Sequence, residues 1–388
     1  MAQKAFIGPA EPFQTIDRVR GASAEAAAAN GWKANWIETQ KHFVDWWNHE
    51  GLVLGMWGAP PAGEPRLNQP RPEFPAAISE SYTDTAWRAR KIHDDLARSA
   101  FPADTLPIAD TNVGPGSLAL YLGSEPDFTP ETIWFSDVFR NVDEPETLPP
   151  LRFDPANRWW KMTEDQLRRC RDLSENHYIV GCPDLVEGLD ILATLREPQT
   201  LLIDMIERPE WVEEKLHELS AVWFEAYDRI YDIIRLDDGS SAYWAFYLWG
   251  PGKTAKVQCD MSAMFSPAMF ERFVVPTLTG QCERLDCSLY HLDGTQAACH
   301  LDLLLGIEAL DAIEWTPQAG IEPGGSPRWH GLYKRILEAG KSVQVMDVRH
   351  EEILPLLDAI GGKGVYIVTK FASEREAEEL AAMVEAYR

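Results

Sequence analysis

Tyr290-His291-Leu292-Asp293-Gly294 closes a short β-prone run, residues 288–292, that stops on an Asp-Gly turn signal. On a strand, His291 and Asp293 stand two apart and leave the same face. A strand that ends in His-x-Asp and turns on glycine suits the carboxyl end of a strand in an α/β fold, where such folds carry their chemistry. Alone, a histidine near a strand end is more often a satisfied structural group than a functional one. Its weight depends on what surrounds it.

Working outward, apolar strand-like runs occur near residues 52, 105, 178, 256, 288, 312, 342 and 365, most of them followed by helical periodicity or a capping signal. Eight β/α units predict a TIM (β/α)8 barrel over residues 51–388, with an N-terminal helical extension over 1–50 and insertions. The first 31 residues read as an Ala-rich arm or loose helix, and apolar spacing predicts a helix over 32–49. The insertions are a segment at 123–160 with a hairpin near 133–139, and a hairpin with arms 243–248 and 256–259 around Trp249-Gly250-Pro251-Gly252. Further helices are expected over 82–99, capped by Ser79 or Ser81, from a capping box at Thr163 and Gln166, from Pro209 to about 234, from Ser266-Pro267 to about 285, and after Ser373. A doubly wound open sheet is the alternative fold, but no G-x-G-x-x-G follows the first strand.

Composition narrows the partners. A net charge of −25 argues against nucleic acid and anionic membrane, and disfavours a polyanionic substrate. Six cysteines without a C-x-x-C read as reduced thiols, and no run of about 18 apolar residues or secretory leader is seen, so a cytoplasmic protein is expected. A homodimer is the working expectation for its assembly.

In a barrel the strand ends share one rim. Those positions read Trp57, Asp110 with Asn112, Asp184, Asp260, His291 with Asp293, Gln318, Asp347 and Lys370. Any one Asp is more often a cap or a turn former, but several around one imidazole form a pattern. Crowded carboxylates must be protonated, paired with a cation such as Lys370, or bound to a metal. Two chemistries fit: acid–base work by His291 with Asp260 and Asp110, or a metal held by His291 and Asp293 with Asp260 or Cys259 completing the shell. Cys259 as a nucleophile is disfavoured, since no base that would stabilise its thiolate is evident. The run 244–249 reads as a wall or lid; Trp57, Trp249 and Trp315 are candidate pocket walls beside Asn112, Asp184 and Gln318, although Trp315 also suits a core.

Gln258-Cys259-Asp260, then Ser266-Pro267-Ala268-Met269-Phe270 and Val275-Pro276, resembles the strand, Asp loop and Ser-Pro helix of the uroporphyrinogen decarboxylase superfamily, which also contains methylcobamide:coenzyme M methyltransferases. The end, from Gly364-Val365-Tyr366-Ile367 to Ser373-Glu374-Arg375-Glu376-Ala377, also fits. The resemblance implies a barrel enzyme, a Zn2+ or other divalent cation, and a corrinoid methyl carrier, with a corrinoid protein as partner. The departures are specific. Met56-Trp57-Gly58-Ala59-Pro60 stands where the decarboxylases carry arginines for porphyrinogen carboxylates, with Asp110 in the place of the family's central Asp. Asp293 stands where the methyltransferases carry a cysteine ligand. The resulting expectation is a corrinoid-linked methyltransferase acting on a small molecule through an acidic His/Asp site. A cofactor-free decarboxylase or other lyase of a small carboxylic acid is the alternative, and a non-catalytic small-molecule or corrinoid-binding protein a third.

Overall fold

A computed structural model describes residues 31–388; the expected arm over the first residues lies outside them. Among the described residues twelve strands are present: β1 Leu52–Met56, β2 Ile108–Ala109, β3 Pro126–Phe128, β4 Ile133–Phe135, β5 Ile179–Cys182, β6 Ser241–Tyr243, β7 Leu248–Gly250, β8 Thr254–Gln258, β9 Cys287–Asp293, β10 Ala312–Thr316, β11 Ser342–Val345 and β12 Val365–Thr369. Neighbours in one sheet run β1-β12-β11-β10-β9-β8, all parallel. A second sheet runs β2-β5-β6-β7, parallel except for the β6–β7 hairpin. The eight expected strands are β1, β2, β5, β8, β9, β10, β11 and β12. Most are buried along nearly their whole length, as strands are when both faces are covered. The architecture is the TIM barrel.

Side chains bridge the two sheets where no ladder does. At the β1–β2 seam, the Asp104 backbone N–H donates to the Leu54 carbonyl (2.9 Å) and the Leu54 N–H donates to Asp104 Oδ2 (2.9 Å). The same wholly buried carboxylate pairs with His42 Nδ1 (2.7 Å) and Arg388 Nη2 (2.8 Å). At the other seam, Ser241 Oγ donates to the Gly252 carbonyl (2.6 Å) and accepts from Thr254 N–H (3.3 Å).

The lumen is filled with rings. The helix Trp36–Trp47 lies across the amino-terminal end of the barrel, where Trp46 Nε1 donates to the Val343 carbonyl (3.3 Å) and Ser342 Oγ donates to the Trp46 carbonyl (2.5 Å). Phe43 and Trp46 meet Tyr366 of β12 edge-on at 5.4 and 5.5 Å, and Trp36 and Phe43 meet Trp249 of β7 at 5.7 and 6.4 Å. The β6–β7 turn folds over this floor toward the far wall. Gln344 Nε2 of β11 donates to the Phe246 carbonyl (2.8 Å), and Tyr366 Oη donates to the Tyr247 carbonyl (3.3 Å). Phe246 and Tyr247 have φ of +64° and +50°. A left-handed backbone at a bulky residue costs on the order of 1–3 kcal/mol and persists only where surrounding bonds hold it.

Several local expectations are corrected. The hairpin turns on 244–247, not on 249–252, and its second arm is β7; residues 254–258 belong to the barrel wall. Gly250 and Gly252 instead serve close approach, since a Cβ at either would strike Thr254 or Asp286. The helix expected from Thr163 begins at Arg158, because Asn157 Oδ1 accepts from the Trp159 (2.8 Å) and Trp160 (3.1 Å) N–H groups. The helix over 82–99 is two, Ile78–Thr83 and Thr85–Ala97, divided at Asp84, whose side chain caps the second. The Ser266 helix breaks into Pro267–Phe273 and Val275–Cys282, since Pro276 has no N–H to continue it. The insertion hairpin pairs β3 with β4. Pro209–Ile234 and the Ser373-capped helix Glu374–Val384 form where the sequence places them. Among the described residues no helix is long and apolar enough to cross a membrane.

The Asp104 seam gives a test. Asp104→Ala leaves His42 and Arg388 without their buried acceptor, and a loss of about 3 kcal/mol is expected. In urea unfolding this reads as a lower midpoint at unchanged slope. A loss under about 1 kcal/mol would mean that the seam is held elsewhere.

Candidate active site at the carboxyl end of the barrel

One register line crosses five strands: Gln258 of β8, His291 of β9, Glu314 of β10, Gln344 of β11 and Tyr366 of β12. Paired positions of parallel strands share a face, and the hairpin contacts of Gln344 and Tyr366 identify that face as the lumen. Trp315, one residue on from Glu314, faces outward and packs on Trp329 at 5.0 Å.

His291 is set by its partner. Its Nδ1 bonds Glu314 Oε2, and Glu314 Oε1 accepts from Thr316 Oγ1 (2.6 Å). Glu314 is wholly buried, and burial pushes its carboxyl above the usual range against the pull of His291. Burial works against the imidazolium too, but the Glu314 carboxylate outweighs it and the His291 pKa is raised. With Nδ1 engaged, Nε2 is the nitrogen left for the mouth. Asp293 ends β9, and Gly294 turns the chain at φ +77°.

Asp260 is brought to His291 by a polar chain on β8. Lys256 Nζ donates to Gln258 Oε1, and Gln258 Nε2 donates to Asp260 Oδ2 (2.8 Å) and Asp190 Oδ2 (3.0 Å). Asp190 also accepts from the Asp260 (2.8 Å) and Met261 (2.9 Å) N–H groups, fixing the turn that follows the strand. Lys256 is wholly buried against Asp184 (2.6 Å). Burial opposes its charge, yet Asp184 and Glu187 together raise its pKa. Glu187 accepts from the Gln258 N–H (2.7 Å), and burial pushes its carboxyl well up. Desolvation in the recess, then Asp190, push the Asp260 carboxyl up to about 6, although its edge remains open to water.

The donor atoms of Asp260, His291 and Asp293 all lie within 4.8 Å of one another. Asp110 stands apart from them, near Arg88 and Asp184, with its carboxylate accepting from the Asn112 N–H (2.9 Å); burial raises its pKa. Asn112 Oδ1 accepts in turn from Gly114 N–H (3.1 Å). Trp57 is 41% exposed and leans on Trp244, Phe246 and Tyr247. Phe246 lies against His291 at 4.6 Å. Gln318 holds the turn after β9, accepting from Thr295 Oγ1 (2.7 Å). Trp249 and Trp315 are fully buried in aromatic packing away from the donor cluster. Cys259 is buried with its thiol pushed well up by burial, a poor thiolate. Lys370 and Asp347 are exposed and face each other at 3.8 Å.

Sequence reasoning missed Glu314, Gln258, Asp190, Lys256 and Glu187. For two of them a signal was present: Glu314 within Ala312–Thr316 and Lys256 within Thr254–Gln258 are charges inside runs otherwise fit for full burial.

The donor set suits a divalent cation. An imidazole whose other nitrogen is held by a carboxylate is the usual second shell of a metal-bound histidine. Two carboxylates and one imidazole, without sulfur, favour a hard or borderline ion.

No family model and no curated protein matches the chain. Among solved structures, a methyltransferase from Methanosarcina mazei superposes with a TM-score of 0.56 at 9% identity, covering 90% of this chain and 98% of that one. A B12-independent methionine synthase from Shewanella sp. W3-18-1 gives a TM-score of 0.45 at 10% identity, covering 87% and 98%. At 9% identity the likeness to the Methanosarcina protein is one of fold alone: the two chains share the barrel.

Proposed function

We propose that this barrel is a methyltransferase acting on a small oxygen- or nitrogen-bearing molecule, with a divalent cation at Asp260, His291 and Asp293 and a partner-borne corrinoid as methyl carrier. The observation that carries the reading is the convergence of those three side chains at one mouth, with Glu314 behind the imidazole. When bound there, the cation supplies Lewis acidity to a coordinated oxygen or nitrogen. The chain's own residues do the rest. Glu314 keeps the proton on Nδ1 and aims Nε2. Gln258 and Asp190 orient Asp260 as an oxygen ligand of that cation. Phe246 covers His291 and limits the water that reaches it.

A lyase of a carboxylic acid has less support. Its substrate carboxylate needs a cation, and Lys256, the lysine of this network, is already tied to Asp184 and Gln258.

Two outcomes test the proposal. Calorimetric titration with Zn2+ is expected to show one site, lost in His291→Ala and weakened roughly 10- to 100-fold in Glu314→Gln, which alters a residue behind the ligand. An unchanged affinity in both variants would sink the metal site. Affinity should also fall as pH drops from 7 to 5, since protons on Asp260 and His291 compete with the cation and both pKa values are raised. Titration in buffers of different ionisation enthalpy should show proton release on binding; a flat pH profile with no release contradicts ligation by these groups.

A further inference from the structure

Four aromatic rings gather on one side of the mouth. Trp57, at the end of β1, keeps 41% of its surface exposed. Its ring meets Trp244 at 6.0 Å, Phe246 at 5.2 Å and Tyr247 at 5.8 Å. The last three come from the β6–β7 turn, which Gln344 and Tyr366 hold against its backbone preference. Phe246 continues the cluster to His291. Tyr247 continues it the other way: with Asp110 it lines a cavity of about 170 Å³ at the β1–β2 seam, whose apolar walls include Ile92, Leu106 and Ile108. The rings therefore span the space between the donor cluster and Asp110.

The charges around this space are mostly negative: Asp110, Asp184, Asp190, Asp260 and Asp293. The nearby cations are engaged. Lys256 bonds Asp184 and Gln258, Arg88 donates to the Tyr82 and Asn112 carbonyls, and Lys91 pairs with Asp95. An anionic ligand would meet repulsion here. Aromatic rings beside a carboxylate are the arrangement that holds a methylated ammonium, because the ring quadrupole attracts a diffuse cation that makes no strong hydrogen bonds.

We infer that the substrate carries a methylated ammonium head, lodged against Trp57 and Tyr247 beside Asp110, with its oxygen-bearing end directed to Asp260, His291 and Asp293. The inference rests on the mouth being the active site and adds the charge and shape of what enters it.

The test compares choline with 3,3-dimethylbutan-1-ol, which has the same shape and no charge, by calorimetry on the full chain. Choline should bind about ten-fold tighter or better. Trp57→Leu keeps an apolar side chain without the ring, and should reduce that preference to about three-fold or less. Asp110→Asn should weaken choline several-fold and leave the alcohol unchanged. Equal affinity for the two probes, no choline binding at millimolar concentration, or an unchanged preference in both variants overturns the inference. Zn2+ titration of the same samples separates it from the metal reading. Zn2+ binding without a choline preference refutes the ammonium head alone, and a choline preference without Zn2+ binding refutes the metal site alone.

Discussion

The pair between His291 and Glu314 is the constraint on which the mouth depends. A carboxylate wholly buried in a barrel wall is tolerable only if hydrogen bonds and an opposite charge meet it. Glu314 has both, from Thr316 on its own strand and His291 on the next. The parallel register fixes them side by side, so neither can turn away without leaving the other unpaired. What results is an imidazole with one nitrogen committed to the protein and the other free for chemistry. The acid is therefore a positioning residue, and its burial is what gives it that grip.

The same economy governs the lumen. A barrel interior must be filled by side chains, and here strand residues share the task with an amino-terminal helix below and an antiparallel hairpin above. Filling the floor with Phe43, Trp46 and Trp249 lifts the polar residues toward the carboxyl end, where the line from Gln258 to Tyr366 marks the boundary between packed rings and the open mouth. The left-handed turn at Phe246 and Tyr247 lies on that boundary. Strain of this kind persists where the surroundings over-determine it, and it concentrates at functional sites.

The sequence was most readable where period and punctuation agree. The eight barrel strands, the helices opened by Pro209 and Ser373, and the rim position of His291 and Asp293 all follow from apolar runs ended by Asp, Gly or Pro. It was least readable where a long-range bond outranks a local one. Trp249-Gly250-Pro251-Gly252 has the composition of a turn, yet its glycines admit Thr254 and Asp286 at close quarters, while the real turn uses Trp, Ala, Phe and Tyr because Gln344 and Tyr366, about a hundred residues on, hold it. Trp249 and Trp315 illustrate a second limit. Composition marks them as wall material, and only their facing tells core from pocket. Glu314 escapes a reading of strands for apolar pattern alone, although a charge inside such a run is the anomaly that asks for a partner.

On the proposed reading Asp293 offers the cation a carboxylate and not a thiolate. Thiolate ligands soften a metal and suit it to activating sulfur; carboxylates leave it harder and more oxygen-seeking. Other features of the site accord with oxygen ligation. Cys259, the thiol beside Asp260, is buried with its ionisation suppressed, while Asp190 and Gln258 are spent on orienting Asp260 instead. Lys256 then limits the repulsion that so many carboxylates create, at the one point where water cannot. These features are consistent with one another and with the proposed oxygen- and nitrogen-ligated cation. On the proposed reading, the hydrogen-bond network on β8 serves to aim Asp260 at the cation.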